Sequence, residues 1–108
     1  MDVITHATLS ADSTGTAPFQ ISGRPMVFQF DGDFGGGTLN VQMSLDDPAN
    51  DNWHDVYFTG TDGALTNDIT AAGLYTIAIT ARHCRFVLAS STDPAVIPKT
   101  AEIIGFGA

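Results

Sequence analysis

Apolar and polar residues alternate with a period of two along most of this chain, and no segment sustains the 3.6-residue period of a helix. The clearest stretch is residues 38–45, where Leu39, Val41, Met43 and Leu45 alternate with Thr38, Asn40, Gln42 and Ser44. That pattern predicts an antiparallel strand with one wet face and four apolar side chains on the core. Residues 26–30 predict a second strong strand, opened by Pro25, with Met26, Phe28 and Phe30 on one face and Val27 and Gln29 on the other. Residues 3–9 read as a first strand, 19–21 as a short one, and 53–58 as one anchored by Trp53, Val56 and Phe58. A weak strand is expected at 64–70. Residues 74–80 and 82–89 read as a pair joined by a very short connection. A loop carrying two prolines is expected at 90–98, and a closing strand at 100–106.

Glycine-rich turns at 31–37 and 60–63 and the polar stretch 10–17 separate these segments. Eight or nine short strands at a spacing of about 10–12 residues point to an all-β sandwich, jelly roll or small barrel, of which an antiparallel β-sandwich, jelly-roll-like, is the preferred reading. The 108 residues fit a single domain, 1–108, with no solenoid repeat.

Charge changes the picture most. Twelve acidic residues stand against four cations, for a formal charge of −8. Nucleic-acid binding needs clustered cations to displace counterions, and Arg24, Arg82, Arg85 and Lys99 are too few and too scattered, so nucleic acid is not an expected partner. No apolar run approaches the roughly 18 residues of a membrane span, so no membrane partner is expected. The first ten residues lack the basic-then-apolar layout of a signal peptide. One cysteine, Cys84, excludes an intramolecular disulfide and suits synthesis in a reducing cytoplasm.

Candidate chemistry is sparse. Asp46, Asp47, Asn50 and Asp51, with Asn52 and Asp55 close by, offer the oxygen ligands a calcium ion takes, but not in the EF-hand order. Asp, Asn and Pro are equally what a tight hairpin loop uses, and that is the preferred reading. Gly35, Gly36 and Gly37 precede a strand and not a helix, so they form no phosphate cradle. His6, His54 and His83 fall on separate strands and suit surface or interface roles better than a metal set. His83 and Cys84 are adjacent on a strand and point to opposite faces, which leaves Cys84 on the core side with Phe86 and Leu88. No nucleophile, acid–base pair or cofactor motif emerges, so neither enzymatic activity nor a cofactor is expected. Ile4, His6, Arg82, Arg85 and Phe106 are the candidate partner-interface residues. Ile4 and Phe106 could add a strand to a neighbour's sheet, and the arginines could meet a neighbour's carboxylates. For each the competing reading is an ordinary edge-strand or solvated residue.

One stretch carries a family pattern. Gly35-Gly36-Gly37-Thr38, the alternating strand to Ser44-Leu45-Asp46, an Asn/Asp loop, and Trp53-His54-Asp55-Val56 are together similar to a motif of small tailed-phage virion proteins. Gly73-Leu74-Tyr75 and residues 82–88 resemble later parts of the same pattern, so the resemblance spans about residues 28–88. Ser44, Asp46 and Trp53 also resemble the Asp-box hairpin of sialidase-like propellers, with a longer loop and Asn52 in place of threonine. In both, the box is a turn-forming device: Asp46 is expected to accept from loop amides and Trp53 to pack over the hairpin. The resemblance implies a virion structural role, most like a capsid cement or decoration protein. Such a protein sits on the outer surface of the head, across junctions of the major capsid protein, after synthesis in the host cytoplasm, and self-associates as a dimer or trimer. The alternatives are a head–tail adaptor or a tail or fibre protein, or a carbohydrate-binding module.

Overall fold

The computed structural model describes residues 2–77 and 80–103. Among these residues, ten strands form two antiparallel sheets. In chain order they are β1 (Val3–Thr5), β2 (Phe19–Gln20), β3 (Met26–Asp33), β4 (Thr38–Ser44), β5 (His54–Asp55), β6 (Phe58–Gly60), β7 (Leu65–Thr66), β8 (Gly73–Ile77), β9 (His83–Ala89) and β10 (Ala95–Glu102). One sheet runs β1-β10-β3-β8-β6-β7 and the other β2-β9-β4-β5.

The pairing is nested. β1 pairs with β10, β2 with β9, β3 with β8, and β4 with β5. The chain behaves as one long antiparallel ribbon folded at its middle and then rolled, so that β10 also meets β3 and β9 meets β4. That double Greek key is a jelly roll, one of the architectures the strand spacing leaves open.

Alternation places the core where the pattern puts it. Met26, Phe28 and Phe30 of β3 face Leu39, Val41 and Met43 of β4 and Cys84, Phe86 and Leu88 of β9, and all are buried. Phe86 stands edge-on to Phe28 and Phe30, at ring separations of 6.3 and 5.9 Å, and so ties the smaller sheet to the larger. Phe58 closes the cluster, edge-on to Phe28 at 5.1 Å. Edge-to-face rings add attraction beyond the area they bury.

Four expectations change. Residues 74–80 and 82–89 do not form a hairpin: β8 pairs with β3 and β6, whereas β9 pairs with β2 and β4 in the opposite sheet. The short connection between them therefore crosses from one layer to the other. Residues 53–58 are likewise not one strand, because β5 belongs to the small sheet and β6 to the large one, with Val56 at the crossing. Leu45, expected in the core, is 72% exposed, while Ser44 is buried. Ser44 Oγ accepts the Asp46 amide at 3.0 Å, which turns the chain and swings Leu45 outward.

The fourth change concerns Pro98. It lies within β10, opposite Phe30, and not in a loop. Proline has no N–H to give a ladder. Here its carbonyl still accepts the His6 amide at 2.9 Å, and the ladder to the N-terminal segment resumes only where Leu9 and Val96 exchange bonds. The missing donor thus falls where β1 ends. At the other end of β3, Gly32 has φ +92°, and a Cβ there would lie 1.9 Å from the Ala95 carbonyl oxygen, so only glycine fits.

Replacing Phe86 by alanine should destabilise the fold by about 3–5 kcal/mol, because it removes the ring shared by both sheets and leaves a cavity. Urea unfolding of the full chain measures this. An F86A cost near that of an exposed substitution would show that the sheets do not depend on it.

Candidate functional site

The acidic hairpin β4–β5 is the most elaborated surface feature. It leaves β4 through the Ser44 turn and makes one 3-10 turn at Pro48–Asn50. Asp47 caps that turn, its Oδ1 accepting the Ala49 amide at 2.9 Å. Asp51 follows in the left-handed region, φ 50°, which Asp tolerates better than most residues. Asp46 Oδ2 accepts from Asn52 Nδ2 at 2.7 Å, so Asp46 holds a side-chain amide, and it is Asp47 that takes a backbone amide. The candidate calcium ligands Asp46, Asp47 and Asp51 therefore each serve a different partner. Among the described residues no group of three or more His, Cys, Asp or Glu side chains converges in a metal-holding arrangement.

Arg85 anchors this hairpin to the outer face of the small sheet. Its guanidinium lies 4.5 Å from the centroid of the Trp53 ring. Arg85 Nε donates to Gln42 Oε1 at 2.9 Å, and Gln42 Nε2 donates to Asp55 Oδ1 at 3.0 Å. Its Nη1 stands 3.7 Å from Asp51 Oδ1, an exposed carboxylate, so that ion pair contributes little. Gly15 covers the far side, where a Cβ would lie 2.7 Å from Nη1. Arg85 thus turns its Nε and its flat face to groups within the chain. Trp53 is half-buried, and the Arg85 guanidinium over its ring is a contact that the sequence did not disclose.

The other interface candidates fall in different places. Ile4 is exposed on the edge strand β1. His6 is half-buried between Phe19 and Phe86, at ring separations of 4.4 and 5.5 Å, and its Nε2 shares a 2.8 Å hydrogen bond with the buried Thr100 hydroxyl. Arg82 is exposed at the connection between the layers, its amide donating to the Ser44 carbonyl. Phe106 lies outside the described residues. Cys84 is buried, and burial pushes its thiol pKa well up, which leaves it an inert core residue. Lys99 is held by Asp31 at 2.9 Å, and that contact, with a bond from Gln29, pulls the Asp31 carboxyl below its ordinary range.

Two outcomes test this arrangement. Burial lowers the His6 pKa below its ordinary 6.5, so the unfolded chain takes up the proton more readily than the folded one. The stability tied to a neutral His6 is complete above pH 6.5 and is lost as pH falls through the interval down to the folded-state pKa. Melting temperature should therefore drop from pH 7.5 toward pH 5, and H6N should flatten that part of the profile; an identical slope in the variant would remove His6 as its source. Arg85→Ala should cost about 1–2 kcal/mol, from lost stacking and hydrogen bonding, and shift the emission of the single tryptophan. Unchanged Trp53 fluorescence would contradict the stacked geometry.

No protein-family model matches the chain, and a search of curated proteins returns no match. Among solved structures, the fold is similar to the crystal structure of the SPBc2 prophage-derived protein YomS, with a TM-score of 0.73 at 15% sequence identity. The match covers 92% of this chain and 91% of that one, so the two share a fold from end to end.

Proposed function

We propose that this chain is a non-enzymatic structural protein of a tailed-phage virion, acting as cement on the outer surface of the head across junctions of the major capsid protein. The observation that carries this reading is the jelly-roll likeness to a prophage-derived protein over 92% of the chain. The motif running from Gly35 to Val56, similar to that of small tailed-phage virion proteins, supports it independently, and its residues build a hairpin held by its own hydrogen bonds. Mechanically, such a protein works by selective binding. A molecule that binds the expanded shell and not its precursor stabilises the expanded state by mass action, and many weak copies on one shell act together.

The carbohydrate-binding alternative calls for a row of exposed aromatic faces. Trp53 is covered by Arg85, and the Tyr75 ring packs against Phe30 and Phe58 while its hydroxyl donates to the Ala71 carbonyl. Tyr57 alone stays open, at 56% exposure, which makes a poor sugar platform.

The test is co-sedimentation of the purified chain with emptied tailed-phage heads stripped of their small proteins. The expected result is saturation at a fixed ratio to the major capsid subunit, with a raised melting temperature of the shell. Copies confined to one vertex would instead indicate a neck or tail position, and no sedimentation with the shell would overturn the capsid reading.

A further inference from the structure

The outer face of the large sheet carries one uncharged row across all six of its strands. Val3 of β1 stands opposite Ala101 of β10, and Ala101 opposite Val27 of β3. Val27 stands opposite Thr76 of β8, Thr76 opposite Thr59 of β6, and Thr59 opposite Leu65 of β7. Cross-strand partners share a face, and this one lies opposite the face on which Met26, Phe28 and Phe30 enter the core. At a strand spacing of about 4.8 Å the row is about 24 Å long. Beside it Leu74 stands opposite Gln29, and Gln29 opposite Lys99. Of the six large apolar side chains exposed among the described residues, Val3, Leu65 and Leu74 lie on this face. Tyr57, a fourth, lines a depression at its margin with Thr59, Leu65 and Thr76. Single apolar residues on a surface are ordinary, but a contiguous patch marks a contact.

Charge avoids this face. Lys99 and Asp31 stand on it, and they meet at 2.9 Å and cancel. Asp33, at the far end of β3, turns its carboxylate to the Gly35 amide. The formal charge of −8 is therefore carried elsewhere, with Asp46, Asp47, Asp51 and Asp55 on the β4–β5 hairpin. Residues 78, 79 and 104–108 add no charged side chain to any part of the surface.

Charge and size select the occupant. A basic partner seeks carboxylates, and the middle of this face offers one, already paired. An anionic lipid surface repels a chain of this charge. A standard interface buries about 800 Å² a side. The uncharged rows cover on the order of 400 Å², from strand spacing and rise, which is small for a free-standing dimer of two acidic chains. A contact of that size can still be filled by mass action where a lattice offers the same uncharged site many times. We infer that the outer face of the large sheet, and not the acidic hairpin, is the surface that docks on the shell, against an uncharged patch of the major capsid protein. The inference rests on the virion reading and names the surface that serves it. The acidic hairpin belongs to the other sheet and is turned away from the contact.

Co-sedimentation of full-chain variants with emptied heads tests it. Leu65→Asp and Thr76→Asp should each raise the concentration for half-saturation at least about tenfold. The melting temperature of the unbound chain should stay within a few degrees of the wild type, because both side chains are exposed. Thr76→Lys should weaken binding as T76D does, since either charge is buried without a partner. A49D puts the same charge on the exposed hairpin and should change nothing. Half-saturation of the wild type should move less than about twofold between roughly 0.05 and 0.5 M salt. Wild-type binding that L65D and T76D leave intact would overturn the inference while the cement reading stands. So would tighter binding by T76K, a loss with A49D, or a steep salt dependence, each of which makes the contact electrostatic. A dimer in sedimentation velocity, or flotation with phosphatidylcholine vesicles, that L65D abolishes while shell binding persists would assign the face to a second copy or to lipid. A wild-type chain that does not sediment with heads would end the cement reading, and this inference with it.

Discussion

Phe86 reaches from the small sheet into the space between Phe28 and Phe30 of the large one, and the two layers hold together around that contact. The rings meet edge-on, a geometry that favours attraction between the positive edge of one and the negative face of another. Phe58 and Phe19 extend the cluster toward opposite edges of the sandwich. His6 reads its environment from the same cluster, since the rings that hold it are Phe19 and Phe86. A change in the core would therefore be felt at the edge strand, and protonation at the edge would be felt in the core.

Outside that core the chain divides its polar groups between structure and surface. The acidic loop, the feature of the sequence most like a ligand site, bonds largely to itself. Asp47 caps a turn, Asp46 holds Asn52, and Trp53 lies under Arg85. No buried side-chain nitrogen or oxygen among the described residues lacks a partner. A protein that uses its charged and polar residues in this way is suited to presenting a rigid shape, and function then rests on which parts of that shape remain uncovered. The flank around Val56 and the edge of β1 are such parts, one apolar and laterally placed, the other, among the described residues, with no strand beyond it.

The strand faces were legible in the sequence because a period of two needs only local information. Met26, Phe28, Phe30, Leu39, Val41, Met43, Phe86 and Leu88 fall on the core side as alternation predicts, and Cys84 is buried among them. The all-β class followed from strand length and spacing, while the pairing of the strands decided for the jelly roll among its alternatives. Alternation fails first at Ser44–Leu45, where a side-chain-to-backbone bond ends the strand one residue early and reverses which side chain is buried.

What the sequence by itself determined is thus the strongly alternating strands and the faces they bury, the turns and the excess of negative charge. All of these depend on neighbours along the chain. Tertiary structure decided which strands pair, that residues 74–89 and 53–58 each cross between layers, that Pro98 fits inside a strand, and that Arg85 lies over Trp53. These outcomes join residues far apart in sequence, such as Gly15, Gln42, Trp53 and Arg85, and periodicity carries no record of such distances. The flank around Val56 belongs to the same class. Leu45 and Val56 look like core residues in the sequence; the Ser44 turn leaves the first exposed, and the crossing between layers leaves the second half-buried.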